Sequence, residues 1–595
     1  MVALTRSRSL DPDPAPGSRS AHAGVRRTTR NDHEGRIGDA GWVLRGVLVV
    51  AVTLYLVAGL RQAANDSPTV DEAVDVSSGV ATLVRHDLRL NPEHAPLAKV
   101  LSAIPALFAQ PVVPAGDSWR TGDWFAYTDD FVRANRDAGR LERVMFLARL
   151  APLAEGLACA WVMFLLGRRL FGVPAATTAA ALWLTTPVVV GLSHFAGIDI
   201  AFALATLLVA HRVLCFVDAP RLANAARLGA LCAVALLTRH SALSLWVYAV
   251  VTSAVVLWRV DRRLALRCAG TVLLVGFAGV WVGVRVLAPS GTSDVARERV
   301  ATLVADASSR SVVARASLAV PFPPEYRAGL AYLVVTSDDR PAYLFGHAWN
   351  GSRLWYFPGT LLAKLPLGAL AALVVMPLEV LRVTRSVRRR VGLAIVGPAA
   401  VSAAFVLAQP LNLGVRYVMP SLALMFVLAG SVVAWLTTRP QRALAGVALA
   451  TQVFAMVGAG AHSLAWTAPP FRPAYRWVSD SNLDYAQDIG RVASWAGDHP
   501  NAWVALLRPR GVDNPAGTRE LRGVDSARVD GWIAVSATRL TVLDRDELTW
   551  LRGYCPVGEI GGSVLLYRLN GAPDITPGPT MPTSPCWGAS YSTRR

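Results

Sequence analysis

Residues 69–101 read TVDEAVDVSSGVATLVRHDLRLNPEHAPLAKVL and follow closely on an apolar run, 43–60, that is long enough to cross a bilayer. Asp71 and Glu72 are the first acids of this stretch. A carboxylate next to hydrocarbon costs about 3 kcal/mol unless it has a partner or a function. The pair therefore indicates a functional site at the surface of a membrane.

The composition of the whole chain is that of a polytopic membrane protein. Of its 595 residues, 53% are hydrophobic and only 17% are charged, and the mean hydropathy is +0.39. A soluble protein has about 25% charged residues. The net charge of +18 does not indicate a nucleic-acid partner, because the arginines recur in short clusters between apolar runs. That pattern is typical of cytoplasmic loops.

Eleven apolar segments approach the roughly 20 residues that a spanning helix needs. They lie at 43–60, 145–166, 174–192, 198–216, 222–238, 241–258, 263–288, 358–382, 390–409, 417–436 and 442–463.

With the N-terminus inside, every short inner turn carries arginine, as the positive-inside rule requires. These arginines are Arg168, Arg169, Arg221, Arg227, Arg259, Arg262, Arg263, Arg382, Arg385, Arg388, Arg389, Arg390, Arg439 and Arg442. The outer turns near 193–197 and 410–415 contain no Lys or Arg. The segment 222–258 can also be read as one interrupted span. With one crossing fewer, however, every later arginine cluster would lie on the outer side of the membrane. We therefore predict a cytoplasmic N-terminus and an extracytoplasmic C-terminus.

The sequence divides into four parts. Residues 1–40 are polar and predict a disordered cytoplasmic tail. The membrane domain covers 41–463, with two extracytoplasmic loops at 61–144 and 289–357. An extracytoplasmic domain follows at 478–570, and residues 571–595 are rich in Pro, Thr and Ser, which predicts a disordered tail.

The extracytoplasmic domain has an α/β pattern. Three short runs rich in β-formers, at 502–507, 531–537 and 563–569, predict strands. A helix is expected between Asp480 and Asp498, with Ser481 and Asp484 as its capping box.

The six cysteines divide by location. Four of them, Cys159, Cys215, Cys232 and Cys268, lie in or beside spans and are expected to pack as small apolar residues. The other two, Cys555 and Cys586, lie in the exported part, where an oxidising compartment permits a disulfide. The fold class is thus an all-α polytopic membrane protein with a small C-terminal α/β domain.

The acids Asp71 and Glu72 have two interpretations. They can be the first turn of a helix capped by Thr69, where acids offset the helix dipole. However, Asp199 in GLSHFAGIDIAFAL lies at the predicted outer end of the fourth span. Carboxylates from two helices can face one extracytoplasmic cavity, so we favour a catalytic role for all three.

Acid, base and cation follow one another in LNPEHAPLAKVL. Prolines 92 and 96 bracket Glu93 and His94 in a turn, and the apolar segment that follows is expected to lie in the membrane interface. Lys99 can bind phosphate or merely snorkel. It is one of two lysines, with Lys364, among 59 basic residues, and both lie near the predicted outer surface. A chance distribution explains the positions of these two lysines equally well.

Further basic and aromatic residues lie at the predicted outer ends of spans. Arg416 and Tyr417 do so in NLGVRYVMP, and Arg239 does so in LLTRHSAL. An arginine at an outer end needs an anionic partner, which can be a phosphate or one of the acids. His194 alone is more often a satisfied polar residue than a ligand. No HExxH, Walker loop or nucleophile elbow is present in the sequence to indicate a metalloprotease, a nucleotide site or a serine hydrolase.

These residues together resemble the polyprenyl-phosphate-sugar-dependent membrane glycosyltransferases of the GT-C superfamily, specifically the protein O-mannosyltransferase-like family (glycosyltransferase family 39). The lipid A aminoarabinose transferases are more distant relatives. The resemblance lies in the DE pair at 71–72 and in EHAPLAK (93–99), SHFAGIDIA (193–201), LLTRHSAL (236–243), YLFGHAWNGSRLWYFP (343–358), LLAKLP (361–366), LNLGVRYVMP (411–420) and DSNLDYAQD (480–488). Two departures are Ala95, where the family usually has a second proline, and Tyr485-Ala486, where it usually has Trp-Gly.

The resemblance implies an inverting transfer of a sugar from a polyprenyl phosphate to an acceptor hydroxyl of a bacterial cell-envelope protein, glycan or lipid. Asp71 is the expected base, with Glu72 and Asp199 as further catalytic candidates. The residues expected to bind the donor phosphate are His94, Lys99, Arg416, Tyr417, Lys364 and Arg239. Those expected to bind the acceptor or sugar are His194, Asp480, Asn482, Asp484 and Gln487. Glu93 and His94 can instead hold a divalent metal, and no other cofactor is implied.

Two alternatives belong to other functional classes. A transporter or flippase of a lipid-linked sugar usually places its ionisable residues near the bilayer midplane, in broken helices and paired repeats. This chain has its acids at the outer ends of spans. A scaffold without catalytic activity is the other alternative.

Overall fold

The computed structural model describes residues 23–310, 312–336, 339–436, 438–570 and 585–587. The predicted tails at 1–22 and 588–595, and residues 571–584, lie outside the described residues. Residues 1–50 form one unit and residues 51–595 another, and all contacts given below lie within the second unit. The first helix begins at Ala23, so residues 23–40 are helical rather than irregular; the segment 23–40 contains no proline.

The first half of the chain is helical. Its helices are α1 (Ala23–Asn65), α2 (Val70–Arg85), α3 (Pro96–Ala106), α4 (Asp117–Thr121), α5 (Trp124–Asp137), α6 (Leu141–Phe171), α7 (Val173–Leu184), α8 (Pro187–Ser193), α9 (Asp199–Asp218), α10 (Leu222–Thr238), α11 (Ala242–Leu257) and α12 (Arg262–Leu287).

The second half combines helices with two small sheets. The helices are α13 (Asp294–Arg310), α14 (Val312–Leu318), α15 (Pro324–Val335), α16 (Tyr356–Lys364), α17 (Leu367–Arg382), α18 (Arg385–Val391), α19 (Gly397–Leu407), α20 (Met419–Ser431), α21 (Arg439–Ala459) and α22 (Ile489–Gly497). The strands are β1 (Pro341–Leu344), β2 (His347–Asn350), β3 (Trp503–Ala505), β4 (Arg519–Glu520), β5 (Gly531–Ser536), β6 (Gly558–Ile560) and β7 (Val564–Leu569).

Each of the eleven predicted segments is a helix or a pair of helices. By length and apolar composition, six helices among the described residues can span a membrane. They are residues 41–65 of α1, α6, α9, α12, the continuous helix 385–407 that contains α18 and α19, and α21. The pair α7 and α8 raises that number to seven if it is one span. α10 and α11 are apolar but shorter. The total of eleven membrane spans therefore stays a prediction, whereas the structure shows that the segments are apolar helices.

The break between α7 and α8 has a local cause. The two helices are bent by 64° relative to each other. Pro187 begins α8 and disfavours a helical conformation at the preceding residue, Thr186, which is extended. The sequence predicted one straight span at 174–192, and the structure divides it at this proline.

The first long loop is a packed helical layer. α2 packs on α3, α5 and α6 through a buried core that includes Val76, Val80, Phe131 and Val144. Gly79 permits the contact with α3, because a side chain there would meet the Lys99 carbonyl oxygen at 2.3 Å. This packing fixes the N-terminal turn of α2, which carries Asp71.

α3 has the exposure expected of an interfacial helix. Leu101, Ile104 and the following Phe108 are exposed at 37%, 47% and 75%. The same segment buries Ala98 and Ala103 against the rest of the protein. The apolar exposed face agrees with the predicted position in the plane of the membrane interface.

The C-terminal region contains a five-stranded sheet with the order β4-β3-β5-β7-β6. β3 is parallel to β4 and β5, while β7 is antiparallel to β5 and β6. Val492 of α22 packs on Val504, Ala534 and Val564 of this sheet. The three predicted strands are confirmed as β3, β5 and β7.

The predicted capping box at Ser481 and Asp484 is wrong. Residues Asp480–Asn482 form only a 3₁₀ turn, and α22 begins at Ile489. Leu483, which would lie in the first turn of that helix, has a φ of −141° and is not helical, and the Ser481 hydroxyl donates instead to the Leu413 carbonyl oxygen.

Cys555 and Cys586, for which the sequence left a disulfide open, are bonded to each other. Among the described residues, the other four cysteines are free, and Cys159, Cys232 and Cys268 are buried. They pack as small apolar side chains, as expected from their positions.

Candidate active site

A cavity of about 630 Å³ lies between the ends of the membrane helices and the C-terminal region, and we call it the main cavity. Its walls come from α2, the 91–94 turn, α5, the 198–199 start of α9, the 413–417 segment and the C-terminal region. Its lining residues are Val70, Asp71, Val74, Asp75, Asn91, Glu93, His94, Phe125, Asp129, Arg133, Ile198, Asp199, Arg239, Arg340, Leu413, Arg416, Tyr417, Arg508, Pro509, Arg510, Gly511, Val512, Asp513, Arg522 and Arg539.

Asp71 is in the first turn of α2 and faces the main cavity. Its side chain is 38% exposed, and Arg416 Nη1 donates to its Oδ2 at 2.5 Å. Burial alone would raise the pKa of the Asp71 carboxyl, but the positive charges of Arg416 and His94 outweigh burial and lower that pKa. The carboxyl is therefore held in its ionised form.

Asp199 begins α9 and faces the same cavity. Arg239 Nη1 donates to its Oδ1 at 2.9 Å. Asp71 and Asp199 also line a small recess of about 30 Å³, and the other polar or aromatic residues of its lining are Thr69, Glu72, Asp75, His94, Phe195, Arg416 and Tyr485. The structure thus brings carboxylates from two separate helices to one cavity, each paired with an arginine, as the sequence predicted.

Tyr417 and the arginines beside it form the aromatic part of this wall. The Arg239 guanidinium carbon lies 4.6 Å from the centre of the Tyr417 ring, and that of Arg416 lies 5.4 Å away. Both contacts are within the range of a cation–π interaction. A side cavity of about 80 Å³ adjoins this wall and shares Arg239, Tyr417, Glu93 and His94 with the main cavity.

His94 is held by an acid that sequence reasoning missed. Its Nδ1 lies 2.9 Å from Asp75 Oδ1, which also accepts from Asn91 Nδ2 at 2.9 Å. Burial alone would lower the pKa of His94, but the Asp75 carboxylate outweighs burial and raises it. Asp75 follows Asp71 by four residues on α2, so helical periodicity would have placed both on one face.

Glu93 and His94 both line the main cavity, and the metal site that the sequence predicts for them stays a prediction. Among the described residues, no group of three or more His, Cys, Asp or Glu side chains could hold a metal ion. One ring nitrogen of His94 already binds Asp75. We derive no step through a metal.

Glu72 does not line the main cavity. Its two oxygens accept from Arg149 Nε and Nη2 at 2.8 and 2.7 Å, and one also accepts from the Ala196 amide at 2.9 Å. Only 1% of Glu72 is exposed. Its Oε2 additionally accepts from the Thr69 amide at 3.1 Å, so the helix-start interpretation holds for Glu72. This geometry argues against the predicted catalytic role of Glu72.

The two lysines are away from the cavity, contrary to prediction. Lys99 is buried in α3, and its Nζ donates to the Asn91 carbonyl oxygen at 2.7 Å. Lys364 is fully buried and donates to the carbonyl oxygens of Leu464, Trp466 and Asn482. A buried ammonium group requires such acceptors, and these leave neither lysine directed at the cavity.

His194 is likewise a buried structural residue. Its Nε2 lies 2.8 Å from Asp66 Oδ2, and Asp66 also pairs with Arg491 at 2.7 Å. This set of contacts ties α8 to α22. His194 therefore does not reach the cavity where the sequence placed it.

The four acceptor candidates of the 480–488 segment do not line the main cavity either. Asn482 Nδ2 donates to Tyr356 Oη at 2.9 Å, and its Oδ1 accepts from the Val415 amide at 2.9 Å. Gln487 Oε1 accepts from the Tyr485 amide. Burial is the main cause that raises the pKa of Asp480, and it raises that of Asp484 to about 7. These side chains hold the segment in place instead of presenting themselves to a ligand.

Sequence reasoning missed most of the basic lining. Arg133, Arg340, Arg508, Arg510, Arg522 and Arg539 all line the main cavity. Within the part of the chain that the structure describes, the side chains of Arg133 and Arg340 have neither a hydrogen bond nor an ion pair. In a chain with 59 basic residues, single arginines of loops carry no signal that would have distinguished them.

Residues 141–282, which run from α6 to α12, match the protein family described as dolichyl-phosphate-mannose-protein mannosyltransferase. This confirms the predicted resemblance to the protein O-mannosyltransferase-like family. The match covers the helices that carry Asp199 and Arg239. The chain is thus similar to membrane glycosyltransferases that use a sugar linked to a lipid phosphate. No curated protein matches the chain with significance.

Two solved structures show the level of structural similarity. The crystal structure of ArnT from Cupriavidus metallidurans bound to undecaprenyl phosphate has a TM-score of 0.44 and 14% identity, covering 88% of this chain and 97% of that chain. The archaeal oligosaccharyltransferase AglB from Archaeoglobus fulgidus, in complex with an inhibitory peptide and a dolichol-phosphate, has a TM-score of 0.40 and 11% identity. That alignment covers 92% of this chain and 77% of AglB.

Proposed function

We propose that the chain is an inverting membrane glycosyltransferase. It moves a sugar, hexosyl or pentosyl, from a polyprenyl phosphate to an acceptor hydroxyl on the extracytoplasmic side of the plasma membrane. The observation that carries this proposal is that Asp71 and Asp199 face one cavity with Arg416 and Arg239. The family match supports the class of donor.

The orientation of α9 supports the extracytoplasmic position of the cavity. α9 has 20 residues, so at 1.5 Å per residue it spans about 30 Å, the thickness of the hydrocarbon core. Asp199 at one end lines the cavity, while Asp218 at the other end pairs with Arg169 and Arg390. Because arginine-rich turns stay in the cytoplasm, the cavity lies on the opposite side.

The reaction exchanges one bond at the anomeric carbon of the sugar. The bond from that carbon to the phosphate oxygen breaks, and a bond to the acceptor oxygen forms on the opposite face. The acceptor proton passes to the Asp71 carboxylate, and the polyprenyl phosphate leaves with both electrons of the broken bond. Since Asp71 is held ionised, it is ready to accept the proton, a contribution worth a rate factor of roughly 10²–10⁴.

The arginines at the membrane end of the cavity suit the leaving phosphate. Arg239, Arg340 and Tyr417 line both the main cavity and the side cavity, and Arg416 lies next to them. Guanidinium groups bind phosphate through paired hydrogen bonds, which strengthen as negative charge develops on the leaving group. Asp199 keeps Arg239 in position for this role.

Release of polyprenyl phosphate tests the proposal. The purified full chain in nanodiscs is incubated with polyprenyl-phosphate sugars and an envelope extract that supplies acceptors. We expect release of free polyprenyl phosphate, reduced roughly 10²–10⁴-fold in Asp71→Asn. The matched control is Asp530→Asn, which changes an exposed acid outside the cavity lining. Movement of intact lipid between leaflets without cleavage would instead support the flippase and contradict the proposal.

A further inference from the structure

The main cavity has a second group of cations at its outer end. Arg133 of α5, together with Arg508 and Arg510 of the 508–513 segment, forms what we call the arginine wall. These three residues do not line the side cavity, unlike Arg239 and Arg340. The cations of the cavity therefore fall into two groups, one beside the catalytic acids and one on the C-terminal side.

The arginine wall has hydrogen-bond donors that the protein does not use. Arg133 is exposed, and its side chain has neither a hydrogen bond nor an ion pair with any residue that the structure describes. Arg510 is 52% exposed, and its nearest carboxylate, Asp129, is 3.7 Å away. Arg508 donates to the Val512 carbonyl oxygen at 3.0 Å and lies 3.8 Å from Glu520. Each guanidinium has five N–H donors, so most of these donors are free.

Four other charged residues of the cavity lining are compensated more closely. Arg522 pairs with Glu520 at 2.9 Å and Arg539 with Asp544 at 2.7 Å. Asp71 and Asp199 are each bound by an arginine. The acids beside the arginine wall are Asp129, 3.7 Å from Arg510, and Asp513, 3.7 Å from Arg136. The three guanidinium groups of the arginine wall outnumber these two acids, so the unused charge there is positive.

We propose that the arginine wall binds the acceptor and that the acceptor is an anionic glycan, carrying carboxylate or phosphate groups near the hydroxyl that receives the sugar. This inference rests on the proposed function and names the substrate class of the same site. Arginine forks match both anions through bidentate hydrogen bonds. The anion held at the arginine wall, with the hydroxyl at Asp71, would fix the acceptor at two points and orient it for attack.

A glycan fits this cavity better than a peptide. The volume of about 630 Å³ falls within the usual range for ligand sites of about 300–1,000 Å³. Its wall is mostly charged. On the side of the arginine wall, the charged lining residues Asp129, Arg133, Arg508, Arg510 and Asp513 outnumber the apolar ones, which suits the polar groups of a glycan.

Calorimetric binding to the full chain in nanodiscs of uncharged lipid tests the inference. The probes are trigalacturonate, a galactose trisaccharide of the same linkage, a trisaccharide with one phosphate, and a serine peptide with three glutamates. We expect at least one anionic sugar to bind about ten-fold or more tightly than the neutral one. The carboxylate and phosphate arms show which anion is preferred.

Three variants separate a site from general attraction to a basic protein. Arg133→Gln with Arg510→Gln is expected to abolish the preference for the anionic sugar. Arg528→Gln with Arg545→Gln removes the same charge outside the cavity lining and should retain the preference. Asp129→Asn removes the acid beside Arg510 and should tighten binding several-fold, a gain that a damaged fold would not produce.

Equal binding of charged and neutral trisaccharides, or an unchanged preference in the Arg133/Arg510 variant, would overturn the inference. Tighter binding of the acidic peptide than of either anionic sugar would also overturn it. If polyprenyl phosphate is released but acceptor charge has no effect, only this inference fails. If no donor is cleaved, the proposed function fails, regardless of how the trisaccharides bind.

Discussion

Two neighbouring acids of α2 have different environments. Asp71 is 38% exposed to the cavity and has one arginine partner, Arg416. Glu72 is 1% exposed and binds Arg149 through both oxygens. Consecutive helical positions point about 100° apart, so one side chain faces the cavity and the other faces the helix bundle. The identity of the residues alone does not distinguish these environments.

We predict that Glu72→Gln destabilises the protein while Asp71→Asn does not. Removing one partner of a buried ion pair leaves an uncompensated charge, which costs about 3–5 kcal/mol. Thermal unfolding in detergent should show a clearly lower midpoint for Glu72→Gln than for Asp71→Asn. Equal midpoints for the two variants would contradict this assignment of roles.

The Asp71–Arg416 pair also predicts a pH dependence. Because Arg416 lowers the pKa of Asp71, the native enzyme should remain active below the usual aspartate pKa of about 3.9 as far as its fold permits. In Arg416→Gln the pKa of Asp71 rises, so the acid limb of the kcat/KM profile should move to higher pH. The plateau value of kcat/KM should also be lower. An acid limb at the same pH in both proteins would refute the pairing.

The 480–488 segment joins the two parts of the site. The Val70 amide donates to the Tyr485 carbonyl oxygen, and the Ser67 amide donates to that of Gln487. On the other side, Asn482 binds the Val415 amide, next to Arg416. The segment therefore sets where Asp71 and Arg416 stand relative to each other, which is a positioning role.

We predict that Asn482→Ala lowers kcat/KM about 10- to 100-fold, because small displacements of catalytic groups have effects of this size. The acid limb of the kcat/KM profile should move to higher pH, as in Arg416→Gln, because Arg416 is no longer held beside Asp71. The matched control is Asn514→Ala, which removes an amide bonded to Glu520. A lower rate with an unshifted acid limb would indicate a merely structural role.

At the scale of elements, the sequence predicts what depends on local pattern. Apolar segments of spanning length became helices, and β-rich runs became strands. Long-range partners could not be predicted. Lys364 is buried because carbonyl groups of residues 464, 466 and 482 meet it, about 100 residues away in sequence. Ser481 looked like a cap, but it bonds to Leu413 across the fold.

For the whole molecule, the candidate site arises where distant segments meet. Asp71 and Arg416 are separated by 345 positions, and Asp199 and Arg239 by 40. The resemblance to a family put Asp71, Asp199 and Arg416 forward together. The arginines of the C-terminal region became evident only from the contact of the 508–513 segment with α5. The predicted compartment permitted a disulfide between Cys555 and Cys586, and only the structure shows that the two are bonded.

The predicted topology can be tested with cysteine labelling in a variant without other free cysteines. A cysteine at Asp530 should react with a membrane-impermeant reagent in intact cells. A cysteine at Arg262, in a predicted inner turn, should react only after permeabilisation. The reverse pattern would place the cavity in the cytoplasm and contradict the proposed side of the reaction.

The central claim is that Asp71 and Asp199 meet the phosphate of a lipid-linked sugar in one cavity. An experimental structure of the full chain in nanodiscs with bound polyprenyl phosphate tests it most directly. We predict the phosphate within hydrogen-bond distance of Arg239, Arg340 or Arg416, with both carboxylates facing the space beside it. A phosphate bound elsewhere, or acids that face away from it, would contradict the claim.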